Sequence, residues 1–156
     1  MKKVVTALAL SIALAGCASS PTTDSVMWAS SDTAMVEQQT VSLNSNLWID
    51  MMPKVGETSA LVKEQNLYGA LNLSTENQLP ADMDVAMVVL KQGDMTWEFE
   101  GSDFELRNHS ESQWEVAFNW QLEVNITKPV DVAVQLVDGE NKTWLVSKQV
   151  NIDTVY

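Results

Sequence analysis

The sequence predicts an all-β fold, an antiparallel β-sandwich of about seven or eight strands. Apolar and polar residues alternate with a period of two along most of the chain after residue 46. Pro and Gly stand mainly between these alternating runs, where turns are needed. No stretch after residue 46 has the period of an amphipathic helix. A length of 156 residues leaves room for one domain of ordinary size, and a small closed barrel is the alternative architecture.

The first three predicted strands cover residues 47–51, 67–73 and 83–90. The first alternates regularly, and Pro53 ends it. In the second, leucines occupy every other position except Gly69. The third has apolar residues on both faces, which is typical of a central strand.

A hairpin is predicted for residues 95–107, with Gly101 and Ser102 as a two-residue turn. Gly in the first turn position is the signature of a type II′ turn. The side-chain period then sets the register, which pairs Glu100 with Asp103, Phe99 with Phe104, Glu98 with Glu105 and Trp97 with Leu106. One face of this hairpin would be apolar and the other acidic.

The last part of the sandwich begins with a long alternating run over residues 114–126. Because strands average about five or six residues, this run predicts either one long bent strand or two strands broken near residues 119–121. Two further strands are predicted over residues 130–137 and 143–152, joined by an Asp-Gly turn.

The cysteine and tryptophan content narrows the kind of sandwich. Cys17 is the only cysteine, so the disulfide of an antibody domain cannot form. An immunoglobulin-like or fibronectin-like sandwich without that disulfide is therefore expected. Four of the six tryptophans share the apolar phase of their strands, which predicts packing in the core; they are Trp97, Trp114, Trp120 and Trp144.

Residues 1–16 have the pattern of a secretory signal: Lys2 and Lys3, a short apolar run, then small residues. The following Leu14-Ala15-Gly16-Cys17 resembles the lipobox of bacterial lipoproteins. The resemblance implies that residues 1–16 are removed and that Cys17 is acylated on its sulfur and its amine. Ala18, rather than Asp, after the cysteine implies sorting to the outer membrane, on its periplasmic face. Signal, lipobox and a single sandwich together resemble the plan of bacterial envelope lipoproteins.

The segment after the lipobox is predicted to be a tether. Residues 17–45 are rich in Ser, Thr, Asp, Gln and Asn, so the sandwich domain is assigned to residues 46–156. A flexible coil of this length spans roughly 30 Å. An arm that is ordered on the domain, with a short helix near residues 33–39, is the alternative.

The charge of the chain limits its partners. Nine Lys and Arg stand against 21 Asp and Glu, a formal net charge of −12. Removal of Lys2 and Lys3 with residues 1–16 changes it to −14. Such acidity argues against nucleic-acid binding and favours neutral or basic partners. The sequence has no glycine-rich phosphate loop and one histidine, so we expect neither a cofactor nor a metal.

The acidic face of the predicted hairpin is the first candidate partner-binding site. Glu98, Glu100, Asp103 and Glu105 would project together, and like charges opposite each other destabilise a strand pair. A basic protein surface or Ca²⁺ could offset this repulsion. A plain solvated face is the simpler interpretation.

Trp48 is the second candidate, because it is out of phase with Leu47 and Ile49. It could form an exposed platform for a sugar or a peptide, with burial between the sheets as the alternative. His109 lies in a polar connection with no nucleophile motif beside it, so no catalytic residue is predicted.

These observations favour a non-enzymatic protein, held on the outer membrane by its lipid anchor, whose sandwich binds or scaffolds an envelope component. An acidic inhibitor of a basic envelope hydrolase, a lysozyme or a peptidase, is the alternative. A cell-wall hydrolase that uses paired carboxylates is a third and weaker hypothesis, because an exposed hairpin does not supply one acid in an apolar pocket.

Overall fold

The computed structural model describes residues 25–51 and 65–156, which form ten strands and one short 3₁₀ turn. The strands are β1 (Thr33–Val36), β2 (Gln39–Asp50), β3 (Gln65–Ser74), β4 (Met83–Gln92), β5 (Met95–Glu100), β6 (Glu105–Ser110), β7 (Gln113–Leu122), β8 (Val130–Asp138), β9 (Asn141–Val150) and β10 (Ile152–Val155). The 3₁₀ turn, Gly101–Asp103, lies between β5 and β6. The predicted all-β fold is confirmed.

The strands form two sheets that pack face to face. The six-stranded sheet has the order β1-β2-β3-β7-β6, with β10 also paired to β2, and the four-stranded sheet has the order β5-β4-β8-β9. Strands β2 to β9 therefore follow the A-B-E-D and C′-C-F-G order of immunoglobulin-like sandwiches. Strands β1 and β10 share one edge of β2, and β10 runs parallel to it.

The core lies between the sheets and is built by the predicted alternation. On β2, β3 and β7 the inward side chains are almost all buried apolar residues, including Leu47, Leu71 and Val116. Strand β4 lies between β5 and β8, which confirms its predicted central position. Gly69 faces inward on β3, and the ring of Phe118 lies directly over it.

Strands β1 and β2 correct the predicted boundary of the tether. Residues 33–45 were expected in the tether, but they form β1 and half of β2, and Val41 and Leu43 are buried. The turn between the strands is Glu37-Gln38, with positive φ angles of 45° and 67°. Such turns usually carry Asn or Gly, so this pair gave no turn signal, and the short helix considered near residues 33–39 is wrong.

The segment before β1 forms an ordered arm over residues 25–32. Val26 and Trp28 pack on a second apolar cluster, on the outer face of the four-stranded sheet. The backbone N–H of Val146 donates to the carbonyl of Ser31 at 2.9 Å, which fixes the arm beside β9. Trp144 was expected in the core, and it is buried in this second cluster instead.

The predicted hairpin over residues 95–107 is wrong. Strand β5 pairs with β4 in one sheet, whereas β6 pairs with β7 in the other. The Gly-X turn that makes a hairpin here is Gly93-Asp94, where Gly93 has a φ of +58°. Gly101 is not among the described residues with positive φ, and it begins a 3₁₀ turn that carries the chain between sheets. The apolar alternation in β5 and β6 fits both arrangements, so it does not show whether β6 pairs with β5 or with β7.

The long alternating run over residues 114–126 gives one strand, which ends at Leu122. Val124 and Ile126 continue to pack against the core without strand pairing. The side chain of Gln92 replaces the pairing there: Nε2 donates to the carbonyls of Asn125 at 2.8 Å and Lys128 at 3.0 Å, and Oε1 accepts from the N–H of Asn125 at 2.8 Å.

Candidate functional site

The outer face of the six-stranded sheet carries the candidate site. Antiparallel pairing places Trp48 beside Tyr68, and Tyr68 beside Asn119, in one row across β2, β3 and β7. Directly paired residues point to the same face of a sheet. The next row contains Ala70 and Ala117 at its centre. The large side chains of Trp48 and Tyr68 therefore lie next to the small side chains of Ala70 and Ala117.

Trp48 and Tyr68 form an aromatic pair. Their ring centroids are 5.8 Å apart, and the planes differ by 10°. Both side chains are half-buried. Stacking of two rings restricts both side chains, so the pair presents a defined apolar surface.

The small side chains create a depression beside this aromatic pair. Ala70 and Ala117 form its floor, and Trp48 and Tyr68 line one side. The crossover between the sheets, with Asp103, lines the opposite side. The depression is open to solvent and has a volume of about 480 Å³, within the range of ligand sites on proteins.

Arg107 and two of the three carboxylates that line the depression contact one another. The guanidinium of Arg107 contacts Glu105 at 3.1 Å and Glu115 at 3.3 Å. The hydrogen bond that Arg107 donates to Glu105 raises the pKa of the guanidinium above its usual value, so it stays protonated. The second carboxylate oxygen of Glu115 lies 3.2 Å from Nε2 of His109. His109 is exposed, at a bulge in β6 rather than in the predicted loop.

Three amide side chains lie in or beside the depression and have no hydrogen bond to another described residue. Asn46 and Asn72 are paired with Ala70 and Glu115, and Asn119 lines the depression itself. Within the described residues, none of the three amides makes a side-chain hydrogen bond to the protein, whereas the nearby Arg107 and His109 both contact Glu115. Each amide offers both donors and acceptors to a ligand.

The four carboxylates expected to form one acidic face are distributed over three elements. Glu98 and Glu100 lie on β5, opposite Val89 and Met87 on the outer face of the other sheet. Asp103 lies in the crossover, where its Oδ2 accepts from the N–H of Glu100 at 3.1 Å. Glu105 lies on β6 and is paired with Arg107. The predicted cross-strand face of these four carboxylates is not formed, because β5 and β6 lie in different sheets.

Trp48 was identified from the sequence, but its partners were not. The position of Tyr68 on the outer face follows from the leucine phase of β3, so this signal was available. Arg107, Glu115 and Asn119 were missed because their proximity depends on which strands pair. The predicted hairpin placed β6 beside β5, so the sequence did not predict that β6 lies in the same sheet as Trp48.

Carboxylates also gather at one end of the sandwich. The pKa of Glu37 is raised, first by a hydrogen bond with Asp138 and then by its negative charge, with a smaller effect of Asp82. No group of three or more histidine, aspartate or glutamate side chains in residues 25–51 and 65–156 is arranged to hold a metal ion.

The fold and the site together define an immunoglobulin-like sandwich with an aromatic-lined depression on one outer sheet face. Comparison with protein-family models and with curated proteins finds no match to this chain. The described part of the chain contains no helix long and apolar enough to cross a bilayer. The predicted signal segment and Cys17 lie outside the described residues.

Proposed function

We propose that this protein is a lipoprotein of the outer membrane, anchored at Cys17 on the periplasmic face, whose sandwich binds an envelope component without catalysis. The observation that supports a binding role is the depression lined by Trp48 and Tyr68. The support for the anchor is the sequence of residues 1–18, in which a charged start, an apolar run and a lipobox occur in order.

The carboxylates at the depression support a role without catalysis. Glycoside hydrolysis needs one acid in an apolar pocket and a second one that is solvated. Asp103 and Glu105 are exposed, and Glu115 contacts Arg107 and His109. None of the three has the apolar surroundings that a general acid requires.

The anchor is tested by metabolic labelling with a fatty-acid analogue, followed by separation of inner and outer membranes. We expect label on the wild-type protein and none on Cys17→Ser. Ala18→Asp is the matched control, because it should keep the label and move the protein to the inner membrane. Labelling of Cys17→Ser would refute anchoring at this residue.

The binding role is tested by capture from native envelopes with the full chain, tagged at its C terminus and purified in mild detergent. We expect one envelope component to be retained at low and moderate salt, and to be lost with Trp48→Ala/Tyr68→Ala. Trp28→Ala is the matched control, because Trp28 lies on the opposite sheet. Equal capture by all variants would refute this site.

A further inference from the structure

We infer that the depression on the six-stranded sheet binds a neutral oligosaccharide that lies across the strands. This inference rests on the proposed binding role and specifies its ligand. Four properties of the site support it: an aromatic pair, amides without a hydrogen bond to another described side chain or backbone group, a basic side chain already held by two carboxylates, and an open surface that crosses several strands.

The aromatic pair matches the faces of a sugar ring. A pyranose exposes C–H groups on its faces and hydroxyls around its edge, so it packs well on an amphipathic aromatic side chain. Trp48 and Tyr68 both line the depression and are only half-buried, so each keeps accessible surface. Stacking at 5.8 Å holds the two rings in place before a ligand arrives, which lowers the entropy cost of binding.

The amides match the edge of a sugar ring. A hydroxyl both donates and accepts a hydrogen bond, and so does a carboxamide. Asn46, Asn72 and Asn119 lie around the alanine floor, and none is committed to another described protein group. Their spacing along three strands allows contacts with more than one sugar residue.

The charges disfavour anionic ligands, because three carboxylates and one guanidinium line the depression, a formal charge of −2. Arg107 is the one basic side chain among the residues that line the depression, and two carboxylates already contact it. An anionic ligand would have to displace Glu105 or Glu115. A basic peptide would have to compete with Arg107 for Glu105 and Glu115, and the third lining carboxylate, Asp103, already accepts a hydrogen bond from the N–H of Glu100. A neutral ligand avoids both costs.

The shape favours a chain over a compact molecule. The depression crosses β2, β3, β7 and β6, and three strand spacings amount to roughly 14 Å. It is open to solvent above the sheet, so several sugar units could lie along it.

The test is titration of the full chain in mild detergent with neutral tetrasaccharides of β-1,4-linked glucose, N-acetylglucosamine, mannose and galactose. A tetrasaccharide of galacturonic acid is the charged comparison. Calorimetry gives the affinity, and the indole N–H resonance of Trp48 reports the location. We expect at least one neutral sugar to bind with little salt dependence, and the acidic sugar not to bind.

Three variants identify the surface. Trp48→Ala should weaken binding at least about tenfold, because a stacked aromatic contact is lost. Ala117→Arg should block the floor with a similar loss while Trp48 remains. Trp28→Ala should bind like the wild type, and thermal melting verifies that every variant is folded.

Failure to bind any of the four neutral sugars, or equal binding by Trp48→Ala, would overturn the inference. The proposed function fails separately: capture of an envelope protein that depends on Trp48 and Tyr68, without sugar binding, would keep the binding role and exclude the oligosaccharide. Capture that does not depend on these two residues, together with no binding of the neutral sugars, would refute the site for both proposals.

Discussion

Gly69→Ala should destabilise the fold, although alanine is normally better than glycine inside a strand. Gly69 does not have a positive φ, so the backbone itself would accept alanine. In the absence of other effects, the substitution would stabilise a strand by about 0.5–1 kcal/mol. The ring of Phe118 reverses the expected sign.

The reversal follows from the packing around the ring. A Cβ on Gly69 would come closer than 3.0 Å to Cζ, Cε1 and Cε2 of Phe118. The ring cannot easily retreat, because it stacks on Trp120 with centroids 3.6 Å apart, and Trp120 stacks in turn on Phe99 at 3.4 Å. Trp120 is further fixed by a hydrogen bond from Nε1 to the carbonyl of Asp103 at 2.6 Å.

Overpacking of this kind typically costs about 1–3 kcal/mol. With a urea dependence of about 1–3 kcal/mol per molar, the midpoint of unfolding should fall by roughly 1 M. Equilibrium unfolding in urea, followed by circular dichroism, measures this shift.

Two further variants make the test specific. Gly101→Ala is the matched control, since nothing lies within 4 Å of an added Cβ there and its φ is not positive; it should be neutral or slightly stabilising. In a Phe118→Ala background, Gly69→Ala should no longer destabilise, which a double-mutant cycle detects. An unchanged or raised midpoint for Gly69→Ala in the wild type would refute the packing argument.

Two other predictions concern stability. Gln92→Leu removes three hydrogen bonds to the backbone of Asn125 and Lys128, so it should lower the free energy of unfolding by about 3 kcal/mol. Urea unfolding and faster amide exchange at Asn125 check this. Gln92→Glu should not restore the lost stability, because a carboxylate cannot donate a hydrogen bond. Because the pKa of Glu37 is raised beside Asp138, the folded state binds the proton more tightly than the unfolded state. This contribution to stability is present below the unfolded value of 4.5 and is lost as the pH rises through the folded pKa. Glu37→Gln should therefore raise the melting temperature at neutral pH and not below pH 4.5, and an equal shift at both pH values would contradict this.

Side-chain period alone predicted most of the core. The inward sets of β3, β7 and β8 lie where the alternation placed them, because burial between two sheets selects apolar residues at every second position. Strand β4 departs from the alternation, because a bulge after Val85 shifts its phase, so that Val88 and Leu90 face the core and Val89 faces outward. A turn at Asp138-Gly139 was also predicted, and the turn between β8 and β9 lies one residue further on, at Gly139-Glu140, with a φ of +58° at Gly139.

Strand pairing was harder to predict, because alternation does not identify the neighbour of a strand. Gly93 and Gly101 both offered a Gly-X turn, and only Gly93 forms a hairpin. This ambiguity affected the prediction of the candidate site most. Trp48 was visible as an outward aromatic residue, but the depression needs β7 and β6 beside β3, and this arrangement is set by the whole sandwich.

The ordered arm gives the proposed membrane anchor a direction. Val26 is held on the outer face of the four-stranded sheet. Nine peptide units separate Val26 from Cys17. However these residues are arranged, they reach at most about 30 Å, and a flexible chain of that length averages roughly 17 Å. An acylated Cys17 would thus tie the sandwich close to the bilayer by its four-stranded side. The depression opens on the other side, so the ligand surface would face away from the lipid and into the periplasmic space.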